Sequence, residues 1–150
     1  MMKLLNKKQK NNGGFSLVEL IVVIAIMVVL VAVLAPLFTR YIENSRKSTD
    51  VSTANSIAEA VVADAADGKI TTKKEKVEVT GTNVTTDASY ISGIQSKPEV
   101  SGTAPTNGSK KGDSFYYSYD PADNVCHVYA GSGSLDLTNS DDVDKYKEDR

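Results

Sequence analysis

From Leu20 to Thr39 the chain carries no charge; Glu19 stands before this run and Arg40 after it. Twenty helical positions at about 1.5 Å each cover roughly 30 Å, the thickness of a bilayer's hydrocarbon core. The run is apolar all round, as lipid or other helices demand, and Ala25, Ala32 and Ala35 leave room for close helix approach. Past Arg40 the pattern becomes amphipathic. Ala54, Ile57, Ala58, Val61 and Ala65 form one stripe, with Asp50, Ser52, Ser56, Glu59 and Asp64 between them, so this half should pack on a sheet. Gly68 is the expected stop. The spacing thus predicts one helix over residues 15 to 67, about 53 residues or roughly 80 Å. Pro36 removes a backbone hydrogen bond and is expected to kink or loosen it.

The remainder predicts a small antiparallel sheet, giving an α+β fold. Residues 69–113 are polar and turn-rich. Val77 and Val79 alternate with Lys76 and Glu78 as a short half-exposed strand. Asp87 is read as the cap of a helical turn that buries Tyr90, Ile91 and Ile94. Residues 97–112, with Pro98, Pro105 and glycines, read as an exposed loop. Ser114–Tyr119 and Val125–Ala130 are the best strands; Phe115, Tyr117 and Tyr119 share one face. Asp120 to Asn124 has the chemistry of the turn between them. Ser134–Thr138 is the expected third strand, and the charged tail from Asn139 onward reads as a solvated, frayed end, with a short helix as the lesser alternative.

The chemistry concentrates at the start. Lys3, Lys7, Lys8 and Lys10 precede the apolar run with no acid among them, which places this flank in the cytoplasm. A secretory signal is cut after its apolar region. Here the small pair Gly13-Gly14 lies before it, so a cut between Gly14 and Phe15 would discard the basic leader and keep the helix. That cut would free an α-amino group at Phe15. Glu19, four residues on and hence on the same helical face, is the acid to pair with such an amine, in the same subunit or a neighbour. Between neighbours the pair would set the axial register.

Gly14-Phe15-Ser16-Leu17-Val18-Glu19-Leu20 and the apolar helix behind it resemble the processing signature of type IV pilins and pseudopilins. The resemblance implies cleavage after Gly14 by a prepilin peptidase, N-methylation of Phe15, a Glu19 contact to a neighbouring N-terminus, and a kinking role for Pro36. It implies three segments: a leader at 1–14, a membrane or filament-core helix at 15–39, and an extracellular head at 40–150. The precursor would lie in the cytoplasmic membrane, held by lipid until a membrane platform and a cytoplasmic ATPase add it to a polymer of like subunits. Three functions follow: a subunit of a type IV pilus serving adhesion, motility or biofilm; a pseudopilin of a secretion or DNA-uptake machine; or a bitopic membrane protein with an external binding domain and no polymer.

Charge and composition narrow this further. The net charge is −2, and without the four leader lysines it is −6. That argues against a nucleic-acid-binding surface, which would be basic. One histidine and one cysteine exclude a metal centre built on those ligands. Adjacent Cys126 and His127 point to opposite faces of a strand and cannot form a nucleophile–base pair. No phosphate-binding glycine motif precedes a helix, so the sequence gives no catalytic residues, metal or cofactor. Cys126 has no internal disulfide partner, unlike the disulfide-closed heads of many pilins, and is expected to be buried. Asn83 and Asn107 head glycosylation sequons of low specificity.

Overall fold

The computed structural model describes residues 14–81 and 91–149. The leader lysines, Gly13, the Asn83 sequon, Asp87 and Tyr90 lie outside the described residues. Helix α1 runs Leu17–Ala66 and continues unbroken through Pro36. It ends in a Schellman turn: Lys69 N–H donates to the Asp64 carbonyl at 2.9 Å and Gly68 N–H to that of Ala65 at 3.0 Å. Gly68 has φ 75°, which only glycine adopts without strain, so this residue does end the helix as expected.

The chain divides into two compact units, the first ending at Phe38 and the second beginning at Thr39. In the second, β1 (Lys74–Glu78), β2 (Phe115–Asp120) and β3 (Val125–Ala130) form an antiparallel sheet in the order β1-β2-β3. The β2–β3 hairpin pairs in full register from Phe115 with Ala130 to Asp120 with Val125. Alternation puts Phe115, Tyr117 and Tyr119, with Cys126, Val128 and Ala130, on the buried face. They share one core with Ala54, Ile57 and Val61 of α1, as the stripe predicted. At the turn, Asp120 Oδ1 accepts the Ala122 N–H at 2.9 Å, and Asn124 takes φ 54°.

Three expectations fail. Ser134–Thr138 is not a strand; it meets β3 through a single bridge, Tyr129 with Asp136, and the third strand is β1 on the far side of β2. The tail is not frayed: Ser140–Glu148 forms helix α2, with Asn139 accepting the Asp141 N–H as its cap and Tyr146 fully buried. Residues 97–112 are not simply exposed, because Val100, Ala104 and Ser109 are buried. Of the helical turn read after Asp87, the described residues 91–94 close a turn through Ile94 N–H to the Ile91 carbonyl at 3.1 Å, with Ile91 buried.

A further difference concerns Asp50 and Asp64, placed between the apolar stripe positions in the sequence yet buried with Lys47. Positions 47, 50, 54, 57, 61 and 64 keep the three-and-four spacing, so the polar residues lie on the core-facing stripe itself. Each acid accepts loop amides that no sheet partner satisfies. Asp50 takes Ser101 N–H at 2.7 Å, Gly102 N–H at 2.8 Å and the Tyr146 hydroxyl at 2.9 Å. Asp64 takes Ser92 N–H at 2.6 Å and the Lys69 ammonium at 2.9 Å. A side chain at Gly102 would run into Lys47 and Asp50, so glycine is required there for the loop to reach the carboxylate.

Candidate functional site

The candidate site is the first turn of α1 and the apolar surface behind it. Ser16 precedes the helix, and its Oγ accepts the Val18 N–H at 3.3 Å while its own N–H donates to Glu19 Oε2 at 2.8 Å. This is a capping box: two amides that a helix start leaves unpaired are satisfied reciprocally, and a carboxylate lies at the positive end of the helix dipole. Phe15 stands ahead of α1 and is 93% exposed, so it is not on a shared helical face with Glu19. The structure brings Glu19 to the Ser16 amide, one residue from the bond joining Gly14 to Phe15. Ser16 was missed in the sequence, although the spacing Ser16-Leu17-Val18-Glu19 carries the capping signal.

Behind this turn, eighteen large apolar side chains from Phe15 to Phe38 are each roughly half or more exposed. The helix is long and apolar enough to cross a membrane, and none of its most apolar window is buried. Completing the burial of such side chains is worth about 1 kcal/mol each, on the order of 20 kcal/mol in all. Lipid or other protein must therefore cover this surface. A charge such as Glu19 is kept at its margin, where its hydrogen bond and the helix dipole accommodate it.

Among the described residues the head offers no competing constellation. Cys126 is a buried free thiol, and burial pushes it up to about 12, leaving it protonated and inert at neutral pH. His127 is on the opposite face of β3, where its Nδ1 meets Asp136 Oδ2 at 2.6 Å. Burial works against the Asp136 charge. Hydrogen bonds from the Thr138 hydroxyl, His127 and the Thr138 and Val128 amides outweigh it and hold the carboxyl below its ordinary range. Asp136 thereby ties residues 134–138 to the edge of β3, a structural task invisible in the sequence. Asp120 and Asp123 form no metal-binding group with other ligands among the described residues. Asn107 is occupied as a linker: its Oδ1 accepts the Ser134 and Leu135 amides, and Ser109 of its sequon is buried.

Comparison with known proteins agrees with this placement. Residues 9–35 match the family described as the prokaryotic N-terminal methylation motif, which covers Gly14, Phe15, Glu19 and most of the apolar run. The motif is that of structural, non-enzymatic families. The chain is 29% identical over 93 residues to a Clostridium perfringens (strain 13 / Type A) protein named prepilin peptidase-dependent protein A, a match spanning 62% of this chain and 66% of that one. No solved structure matches.

Proposed function

On the premise that this is a type IV pilin-like protein, which the motif, the fold and the relative support, we propose that it is a structural subunit of a type IV pilus. A prepilin peptidase cuts after Gly14, and Phe15 becomes the N-methylated first residue. Residues 15–39 hold the subunit in the cytoplasmic membrane with residues 40–150 outside. Assembly then moves the helix from lipid into a bundle of its own copies. The observation that carries this reading is the unshielded apolar surface of α1 directly behind Gly14 and Phe15. An aqueous exit would expose it, so each subunit must be covered by neighbours as it leaves the bilayer. A head-to-tail contact that does not close yields a helical filament. The chain holds no nucleotide motif, so a membrane platform and a cytoplasmic ATPase supply the work.

Glu19 has a defined part in this scheme. In the uncut chain its carboxylate is held by the Ser16 amide. Cleavage creates an amine at Phe15, one residue away, and the same carboxylate is offered to that amine in this copy or in the next. An amine and a carboxylate removed from water attract strongly at contact distance, enough to fix the rise between subunits. The test is Glu19→Ala, read by electron microscopy of surface-sheared material and by N-terminal mass. Normal cleavage with few or no filaments is expected. Filaments at wild-type abundance would overturn the role of Glu19, and a chain confined to the cell envelope as short assemblies would indicate a pseudopilin instead.

A further inference from the structure

We propose that Arg40 and Asn44 hold the phosphate of an anionic phospholipid, making a lipid site at the outer end of the membrane span. The inference rests on the membrane-stored stage proposed above. A groove of about 380 Å³ is lined by Thr39, Arg40, Glu43, Asn44, Lys47, Thr103, Pro105 and Asp149, all in the unit that begins at Thr39. Its charges are settled except one. The Glu43 carboxylate accepts the Thr103 N–H and pairs with Arg46. The Asp149 carboxylate accepts the Thr106 and Asn107 amides at 3.2 and 2.8 Å. Lys47 is buried and donates to the Asp149 carbonyl. The side chains of Arg40 and Asn44, both exposed and one helical turn apart, have no hydrogen bond or ion pair among the described residues.

Position selects the ligand. Arg40 is the first charge after twenty uncharged residues, so when those residues span hydrocarbon its guanidinium is at the level of lipid phosphates. The planar fork of arginine matches phosphate oxygens in a bidentate way, and the Asn44 amide adds a further donor. Tyr41 is 73% exposed beside it, an aromatic of the kind that settles at the headgroup boundary. An uncompensated cation favours a lipid of net negative charge.

The experiment embeds the full chain in vesicles of phosphatidylglycerol and phosphatidylcholine, extracts it in mild detergent, and counts retained lipids by native mass spectrometry. Wild type is expected to keep one phosphatidylglycerol. Arg40→Gln should lower that retention about tenfold, and Arg40→Lys, which keeps the charge without the fork, by less. Resistance to alkaline extraction is read on the same samples. Equal retention by Arg40→Gln in a chain that stays membrane-integrated overturns the lipid site alone. Failure of every variant, wild type included, to resist alkaline extraction overturns the membrane-stored stage. If Arg40→Gln keeps its lipid but loses cross-linking between copies, the partner is an acid of a second subunit and the lipid site is wrong.

Discussion

The two halves of α1 solve opposite problems with one backbone conformation. From Leu17 to Phe38 every position is exposed in the isolated chain and nearly every side chain is apolar. From Thr39 to Ala66 one stripe is buried, and it includes a lysine and two aspartates. The first half is incomplete alone and gains from any cover, lipid or protein, because apolar attraction is non-directional. The second half is already complete. Its carboxylates take particular amides at fixed distances, so it accepts one partner arrangement, the head it belongs to. The difference teaches that interchangeable surroundings call for an apolar helix without polar anchors, whereas a fixed docking is specified by polar anchors set into an apolar stripe.

A charge placed in the first half should have the largest effect. Val28→Asp puts an acid near the middle of the apolar run, at about 3 kcal/mol for membrane insertion. Loss of resistance to alkaline extraction and absence of filaments are expected, with the thermal transition of the head unchanged. The converse change is Asp50→Ala. It strands the Ser101 and Gly102 amides and the Tyr146 hydroxyl, at about 3 kcal/mol or more for three unmet donors. A large fall in the head's melting temperature is expected, with membrane integration intact. A change that harms both properties equally would break the comparison.

Acid titration sharpens it. Burial disfavours the charge of Asp64, but the Ser92 and Lys69 hydrogen bonds hold its pKa below the ordinary 3.8, and Asp136 behaves likewise. Both are more acidic folded than unfolded. Their contribution is therefore fully present above the unfolded value and is lost as pH falls through the depressed folded values. Circular dichroism between pH 5 and pH 2, a range chosen about those values, should show the head unfolding, and Asp136→Asn should flatten part of that dependence. The smallest effect belongs to Tyr117→Phe. Among the described residues the buried Tyr117 hydroxyl has no hydrogen-bond partner, so its removal should raise the melting temperature slightly, by up to about 1 kcal/mol in stability.

Local patterns made the helix, its stop at Gly68 and the β2–β3 hairpin legible in the sequence, because each depends on neighbours within a few residues. The failures share a physical cause. Asp50 and Asp64 were set off the apolar stripe because charge normally marks the wet side; the loop amides of Ser92, Ser101 and Gly102, distant in sequence, help make their burial favourable. Helix α2 was only the lesser reading because eight of its nine residues face at least partly outward, and Tyr146 is its one fully buried side chain. Ser134–Thr138 alternates like a strand, yet the Asp136 carboxylate curls it back onto its own neighbour Thr138. Ahead of the apolar run, Gly14, Phe15 and Glu19 were readable as a motif, while the capping partnership of Ser16 emerges only from the fold of the first turn.

The central claim is that an apolar helix, released from its leader at Gly14, is the element that assembles. The intact mass of this protein recovered from surface-sheared filaments tests it most directly. The account predicts a single species that begins at Phe15 and carries one added methyl group. A species that retains residues 1–14, or a sheared fraction that lacks the protein while it remains monomeric in the envelope, would contradict it.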